Sequence, residues 1–190
     1  GYHGLIYHEV LAEASFIAKA RIEGLRDLGA ALSPFNAFQI LQGLETLDVR
    51  IKRHSENAQG LAEWLESQPQ VSWVNYPGLK TSKYNKLANK YLPDGQSGVV
   101  TFGVKGGYEN AKTIADKTKI FSLLANIGDS KSLIIHPAST THQQLSDDQQ
   151  LTTGVTKDLI RLSVGLEDLD DLKSDLELAF SKIDNKILVD

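Results

Sequence analysis

Residues 156–168 read Thr-Lys-Asp-Leu-Ile-Arg-Leu-Ser-Val-Gly-Leu-Glu-Asp, and the rest of the fold is organised around this stretch. Its side chains alternate from residue 159 to residue 166, as they do on the two faces of a β-strand. One predicted face is wholly apolar and consists of Ile160, Leu162, Val164 and Leu166. The opposite face consists of Leu159, Arg161, Ser163 and Gly165. The pattern therefore predicts a strand with one core face and a single guanidinium on the other.

Arg161 is the chemically informative residue of this strand. An arginine held on a sheet needs an anion beside it, because an unpaired buried charge costs several kcal/mol. The planar guanidinium fork suits a carboxylate or a phosphate. Two interpretations remain open from the residues alone. Either Arg161 forms a salt bridge with an Asp or Glu of the same chain, or it binds the anionic group of a substrate.

The composition is that of an ordinary globular protein. The 190 residues are 41% hydrophobic and 23% charged, with a formal net charge of −4, so we expect one sizeable domain or one domain plus part of another. The charge argues against nucleic-acid and anionic-membrane partners, which need clustered Lys and Arg. There are no cysteines, which excludes disulfides, thiolate metal sites and cysteine nucleophiles.

The sequence also gives no indication of a targeting signal or a membrane-spanning segment. No signal peptide is recognisable, and no apolar run approaches the roughly 20 residues that a membrane-spanning helix needs. We therefore expect a soluble cytoplasmic protein with no membrane partner. Because the sequence begins with Gly1 and contains no Met, we also expect a processed or truncated piece of a longer chain.

The first third of the chain has helical periodicity. Apolar residues recur at intervals of three and four between Val10 and Leu28, and Gly29 is suited to end that helix. Ser33-Pro34 predicts a new helix start, with Ser33 as the cap and Pro34 in the first turn. One or two long helices should then run to about Ser67. His54 lies on their apolar stripe, which favours a core or interface histidine over a metal ligand.

The pattern changes to strands and short helices after residue 67. Strands are predicted at Val71–Tyr76, at Gly98–Lys105, around Ile120–Ala125 and at Ser132–Ile135. Amphipathic helices are predicted over Glu109–Lys117 and over the last segment, from Leu169 to Ile183. This order predicts an α+β domain, with helices on one face of a mainly antiparallel sheet. We place the domain boundary between residues 67 and 68, the small α+β domain at 68–185 and a tail at 186–190.

Two polar segments flank the strand at Ser132–Ile135. They are Asn-Ile-Gly-Asp at residues 126–129 and His-Pro-Ala-Ser-Thr-Thr-His at residues 136–142. Pro137 stops the strand ladder, so an irregular polar loop should lie beside the sheet, where functional sites are common. His136 and His142 have no third ligand at metal-site spacing, so no zinc site is predicted. Ser146 and Gln149 predict a capping box.

The motifs together resemble a known family. They are similar to the C-terminal half of the cysteine and methionine metabolism family of pyridoxal-phosphate (PLP) enzymes, and within it to the O-acetylhomoserine sulfhydrylases. The resemblance extends from Gly1 to about Ile183 in the order of that family. It depends on Leu-Arg-Asp-Leu-Gly (25–29), Ser-Pro-Phe-Asn-Ala-Phe (33–38), Gly-Leu-Glu-Thr-Leu (43–47), Tyr-Pro-Gly-Leu (76–79), Asn-Ile-Gly-Asp (126–129), His-Pro-Ala-Ser-Thr-Thr-His (136–142) and Arg-Leu-Ser-Val-Gly-Leu-Glu (161–167).

The resemblance implies a fold type I PLP-dependent transferase, α/β overall, that acts as a homodimer or homotetramer. Such an enzyme replaces the acetoxy group of O-acetylhomoserine with sulfide or a thiol. Residues 1–67 would then be the end of the large PLP domain and the long interdomain helix. By this resemblance Arg161 binds the substrate α-carboxylate, with Asn126 and Ile127 of the turn beside it and Thr140 near the substrate. The resemblance also leaves open a relative of the cystathionine synthase and lyase type.

One part of the family pattern is missing. The family binds PLP as a Schiff base to a Lys in a Ser-x-Thr-Lys context, and this sequence contains no such motif. We therefore assign no catalytic, cofactor-binding or metal-binding residue to this chain and expect it to be inactive without an N-terminal PLP domain. The competing hypothesis is a non-catalytic module that binds a partner through the apolar stripe between Leu47 and Leu65.

Overall fold

A computed structural model of the chain describes residues 2–183, so the predicted tail at 186–190 lies outside the described residues. The described residues divide into two compact units, with the division between Thr46 and Leu47. The first unit contains α1 (Tyr7–Leu11), α2 (Ser15–Lys19), a π-helical segment (Ala20–Asp27) and α3 (Pro34–Glu45). The second contains α4 (Leu47–Glu66), β1 (Val71–Asn75), α5 (Asn85–Tyr91), β2 (Val99–Val104), α6 (Gly107–Lys117), β3 (Ser122–Leu123), β4 (Leu133–Ile135), α7 (Asp147–Thr152), β5 (Leu159–Ser163) and α8 (Leu169–Phe180).

The five strands form one sheet in the order β1-β2-β5-β4-β3. Within residues 2–183, three of its strand pairs are antiparallel, and the pair of β3 and β4 is parallel. This confirms the predicted mainly antiparallel sheet. The strand that carries Arg161 is the central one, because β2 and β4 flank β5 on its two sides.

The core lies between one face of this sheet and three helices. Strand β5 ends at Ser163, before the predicted Leu166, whose side chain is only partly buried. Up to that point the alternation is confirmed, because Ile160 and Leu162 of β5, and Val164 directly after it, are fully buried. They pack in one apolar cluster with β2 and with the inner faces of α4, α6 and α8. Phe180 of α8 joins the layers, since its ring stacks on Trp64 of α4 at 6.0 Å and meets Phe102 of β2 edge-on at 6.4 Å. The predicted arrangement of helices on one face is therefore confirmed.

The predicted boundary at residues 67 and 68 differs from the division into compact units. Helix α4 belongs to the second unit, because Ala58, Leu61 and Leu65 are fully buried in the shared core. The same burial argues against the partner-binding stripe between Leu47 and Leu65. Apolar surface of this stripe remains exposed only in the first turns of α4, where Leu47 is 40% exposed and Ile51 is 49% exposed.

The single helix predicted over Val10–Leu28 is wrong, whereas the next helix starts as predicted. The backbone of Ala12 has φ 44° and ψ −115°, which interrupts the helix, and the segment continues as short 3₁₀, α and π pieces. In α3, the Ser33 hydroxyl accepts a hydrogen bond from the Asn36 amide at 3.2 Å, with Pro34 in the first turn. Ser33 is therefore the predicted cap. The structure also contains α5, which the sequence pattern did not predict.

The predicted strand around Ile120–Ala125 is reduced to two residues. The Asp175 carboxylate of α8 accepts the backbone N–H groups of Lys119, Ile120 and Phe121. These amides are therefore not available to a strand ladder, and β3 begins only at Ser122. Among residues 2–183, no helix is both long enough and apolar enough to cross a membrane.

Candidate substrate-binding site

Arg161 lies at the centre of the sheet, on the face opposite the three helices. In the strand register it faces Thr101 on β2 and Ile135 on β4. Its residue surface is only partly exposed. The central position fixes the backbone at Arg161, because β5 is paired with a strand on each side. The guanidinium is thus presented from a rigid support.

The described contacts of Arg161 leave most of its donors free. Nη2 donates to the backbone oxygen of Asn126 at 3.4 Å, and Nε is buried without a hydrogen-bond partner. None of the ion pairs found among residues 2–183 includes Arg161. The first interpretation, a salt bridge with an acid of the same chain, therefore has no support in the described residues. A charged donor in this state favours an external anion.

Asn126 lies in the connection between β3 and β4, and residues 126–132 of this connection are called the Asn126 loop below. The Asn126 Oδ1 atom accepts the Ile127 N–H at 2.9 Å, and Gly128 has a φ of +77°, which favours glycine. The Gly128 N–H then donates to the Ser163 hydroxyl at 3.3 Å. Arg161 and Ser163, two residues apart on the same face of β5, therefore both hold this loop. Asn126 and Ile127 are exposed.

Ser163 was not among the predicted site residues. The available signal was its position two residues after Arg161, on the same face of the predicted strand. The structure gives it a definite role, since the Ser163 side chain is buried and accepts the Gly128 amide. We therefore add Ser163 to the residues that hold the Asn126 loop in place.

Thr140 lies in the second polar loop, which follows β4. Its hydroxyl donates to the His136 backbone oxygen at 2.8 Å, and its amide donates to the Pro137 oxygen at 3.2 Å. Ile135, which is paired with Arg161 on the neighbouring strand, comes directly before this loop. Within the described residues, no hydrogen bond connects Thr140 with Arg161 or Asn126. The structure thus brings Arg161 and Asn126 into contact, whereas the described hydrogen bonds of Thr140 are all within the loop that follows β4.

His136 has a structural role in that loop. It is almost fully buried, its Nε2 donates to the Lys157 backbone oxygen at 2.9 Å, and its Nδ1 lies 2.9 Å from the Ser139 hydroxyl. The Tyr108 ring packs edge-on against the imidazole at 4.9 Å. Burial lowers the pKa of His136, which keeps the ring neutral. Both ring nitrogens are therefore engaged within the loop.

A cavity of about 360 Å³ lies beside the Asn126 loop. It is lined by Ile127 and Gly128, by Ile51, His54 and Ser55 of α4, by Leu92, by Val164 and by residues 95–98. Arg161 and Thr140 do not line it. His54 is buried, and its Nδ1 must carry the proton because it lies 2.6 Å from the Val164 backbone oxygen, which can only accept. The prediction of a core histidine is confirmed.

The residues present do not fit the covalent attachment of PLP. A Schiff-base lysine is activated by desolvation or by a neighbouring cation. None of the lysines between residues 2 and 183 is buried. The described geometry instead offers a cation and an adjoining loop to an anionic group.

Comparison with known proteins gives a consistent result. The profile of the family described as Cys/Met metabolism PLP-dependent enzyme matches residues 3–181. An O-acetyl-L-homoserine sulfhydrylase of Leptospira meyeri is 55% identical over 191 aligned positions, covering 96% of this chain and 43% of the relative. A homocysteine/cysteine synthase of Kluyveromyces lactis is 50% identical and covers 97% of this chain and 44% of the relative.

A solved structure is similar over the same range. It is a Campylobacter jejuni protein described as a putative O-acetylhomoserine (thiol)-lyase, with N'-pyridoxyl-lysine-5'-monophosphate in its chain. The TM-score is 0.84 at 50% sequence identity, over 95% of this chain and 43% of that chain. The chain therefore spans less than half the length of the relatives that it matches.

Proposed function

The chain belongs to the Cys/Met metabolism PLP-dependent enzymes, and from this premise we propose that it is the C-terminal part of an O-acetylhomoserine sulfhydrylase. The complete enzyme would replace the acetoxy group of O-acetylhomoserine with sulfide or a thiol, and so supply homocysteine for methionine biosynthesis. The names of the relatives support a sulfhydrylase rather than a cystathionine synthase or lyase.

The state of Arg161 is the observation that best supports a role for this chain in that reaction. Arg161 is a partly buried cation on the central strand, with a buried Nε that has no partner and with no ion pair among the described residues. The amino-acid substrate brings an α-carboxylate, whose two oxygens match the guanidinium fork. Arg161 would therefore bind and orient the substrate, which fixes the reacting carbon for chemistry done elsewhere.

The other proposed substrate residues have smaller roles. Asn126 would offer its side-chain amide, whose Nδ2 makes no described hydrogen bond, to the carboxylate. Ile127 is 63% exposed and would cover the substrate from the side of the loop. Thr140 would add a hydroxyl oxygen as acceptor, because its hydrogen is already donated to His136.

PLP, bound by the N-terminal domain, would supply the electron sink of the reaction. Helix α3 supports a covering partner of this kind, because none of its residues is buried and Phe35, Phe38 and Leu41 are each more than half exposed. We propose that this partner is the PLP domain of the same enzyme. A cytoplasmic homodimer or homotetramer would follow, as the family resemblance implies.

The test uses the complete enzyme that contains this chain, with steady-state formation of homocysteine as the assay. Truncating one partner of a hydrogen-bonded charge pair costs roughly 2 to 5 kcal/mol. Because Arg161 is only partly buried, we expect the lower end of this range, or about a 30-fold increase in KM for O-acetylhomoserine in Arg161→Gln. Arg161→Lys should show a smaller increase, since it keeps the charge and loses the fork.

Two controls make this test specific. Arg53→Gln removes an exposed arginine from α4 and should leave KM unchanged. A substrate analogue in which the carboxylate is replaced by a hydroxymethyl group should react equally poorly with the parent enzyme and with Arg161→Gln. An unchanged KM in Arg161→Gln would remove Arg161 from substrate binding. An equal penalty with both substrates would show that the variant acts through folding.

A further inference from the structure

The Asn126 loop is tied to the chain that follows the Arg161 strand. Gly128 N–H donates to Ser163 at 3.3 Å, and the Leu166 N–H donates to the Ser130 oxygen at 2.9 Å. Further along, the Gly165 N–H donates to the Ser132 hydroxyl at 2.7 Å. The loop is thus bonded at its start, near its middle and at its end to residues 163–166.

Glu167 holds Ser132, the last residue of the Asn126 loop, through two further hydrogen bonds. Its Oε1 accepts the Ser132 N–H at 2.8 Å, and its Oε2 accepts the Ser132 hydroxyl at 2.7 Å. Ser132 is fully buried, and no ion pair among residues 2–183 includes Glu167. Both oxygens of this carboxylate are therefore used on one loop residue. Hydrogen bonds to a charged acceptor are about twice as strong as neutral ones.

The loop and the following segment also approach each other too closely for any side chain at residue 165. A Cβ atom on Gly165 would lie 2.5 Å from the Ser130 oxygen, from the Ser132 nitrogen and from Glu167 Oε2. The absence of a side chain lets Glu167 reach Ser132 directly. The contact between Glu167 and Ser132 therefore requires glycine at residue 165 as well as the carboxylate of Glu167.

Helix α4 holds the same segment from its other side. Asn57 Nδ2 donates to the backbone oxygens of Gly165 and Glu167 at 3.0 and 2.9 Å, and His54 donates to Val164 at 2.6 Å. The backbone of residues 164–167 is therefore fixed on the helix. Because that backbone is fixed, the Glu167 carboxylate has a defined position from which it can hold the loop.

We propose that Glu167 is a positioning residue that holds the Asn126 loop against Arg161, so that the cation and the loop receive the substrate carboxylate together. The effect on substrate binding rests on the function proposed above. Without Glu167, the end of the loop would lose both charged hydrogen bonds. The loop would then keep the 3.4 Å contact between Asn126 and Arg161, the Gly128–Ser163 bond and the bonds from Leu166 to Ser130 and from Gly165 to Ser132, none of which has a charged acceptor.

The first test concerns the contact itself and needs no enzyme activity. Residue-resolved amide hydrogen exchange is measured on the 190-residue chain and on its Glu167→Gln variant. The loss of one charged hydrogen bond should raise exchange at the Ser132, Gly165 and Gly128 amides by about tenfold or more, relative to core amides of β5. Ser132→Ala removes the hydroxyl bond to Glu167 and the acceptor of the Gly165 N–H but keeps the backbone bond to Glu167 Oε1, so it should also raise exchange at these amides and add little to Glu167→Gln.

Asp175→Asn is the matched control. Asp175 is also a carboxylate that accepts backbone N–H groups from a loop, but its loop, residues 119–121, does not contain Asn126. This variant should raise exchange at Lys119, Ile120 and Phe121 and leave Gly128 and Ser132 unchanged. Unchanged exchange at Gly128 in Glu167→Gln would overturn the positioning role.

The second test separates positioning from general stability in the complete enzyme. Glu167→Gln should raise KM for O-acetylhomoserine about tenfold with a smaller change in kcat, and Asp175→Asn should not raise KM. Combined with Arg161→Gln, the Glu167→Gln effect should largely disappear, because both act on one site. Faster exchange with an unchanged KM would overturn the link to substrate binding. An Arg161→Gln variant with normal KM would instead refute the proposed function, whatever Glu167→Gln does to exchange.

Discussion

The replacement of Asp175 by Asn should destabilise the sheet-containing unit far more than an ordinary surface substitution. Asp175 is 5% exposed, and its carboxylate accepts three backbone amides. Lys119 N–H reaches Oδ1 at 2.8 Å, while the amides of Ile120 and Phe121 reach Oδ2 at 2.8 and 3.1 Å. This one side chain therefore fixes the turn between α6 and β3.

The size of the effect follows from those three bonds. A hydrogen bond to a charged group contributes about 1.5 to 3 kcal/mol and a neutral one about 1. In Asp175→Asn the amide oxygen can keep the two bonds of Oδ2 in weaker neutral form, whereas its NH₂ group faces the Lys119 N–H, a second donor. The lost bond and the two weakened bonds sum to about 2.5 to 7 kcal/mol. Water can reach the exposed Lys119, so we expect a loss of about 3 kcal/mol, or a Tm lower by roughly 6 to 12 °C.

Urea unfolding followed by tryptophan fluorescence is the measurement. The chain has two tryptophans, Trp64 and Trp73, and both lie in the second compact unit, so the signal reports that unit alone. The matched control is Glu177→Gln, an exposed acid on the same helix, which should stay within about 0.5 kcal/mol of the parent. A loss below about 1 kcal/mol for Asp175→Asn, at unchanged m-value, would refute the reasoning from the three amides.

Two further predictions concern pH. Burial lowers the pKa of His136 below its ordinary 6.5, so its stabilising contribution is complete above pH 6.5 and is lost as the pH falls below it. Urea midpoints between pH 7 and pH 5 should fall less steeply for His136→Gln than for the parent chain, and parallel curves would contradict this. Burial raises the pKa of Tyr76 from 10.0 to about 12, so stability should decline as the pH rises through that interval. The Tyr76→Phe variant should lack this decline. It should also be about 1 kcal/mol less stable than the parent at pH 7, because the Tyr76 hydroxyl donates a hydrogen bond to the Ser97 oxygen at 3.0 Å. If the variant showed the same alkaline decline as the parent, the decline would not come from Tyr76.

Much of the sheet could be predicted from alternation alone. In β5 and β2 every second residue is apolar and enters one core, so the period of two fixed both the strands and their buried face. Ser33 and Ser146 were predictable as caps because capping uses local hydrogen bonds within three residues. The capping box at Ser146 and Gln149 is confirmed. Local rules therefore succeeded where the partners are close in sequence.

The failures have the opposite origin. The strand predicted around Ile120 was shortened by Asp175, which is more than 50 residues away in sequence. The helix predicted over Val10–Leu28 lies in the unit whose apolar side chains remain exposed, so no core selects one regular helix there. Helix α5 has no side-chain cap at Tyr84 and buries only Ala88, which leaves little periodicity to detect. In each case a tertiary contact, or the lack of one, decides the local structure.

The candidate site shows the same division. Arg161 was evident as the lone cation on a predicted strand, and Asn126 was chosen through the family resemblance. Their proximity across 35 positions could not be read from spacing, and the structure supplies it. Ser163, Ser132 and Glu167 were not predicted as part of the site, because serine and glutamate are common at strand ends. Only the hydrogen bonds that join them to the Asn126 loop reveal what they do.

The unpaired state of Arg161 is itself an argument about function. A partly buried cation without an acid among the described residues lowers stability, since its desolvation is not repaid by an internal ion pair. The same sheet places an apolar residue, Ile135, directly beside it, so an aliphatic side chain would pack better at this position. A fold gains from retaining the cation only if a ligand completes its hydrogen bonds. The site is therefore best understood as one half of an ion pair, with the substrate carboxylate as the proposed other half.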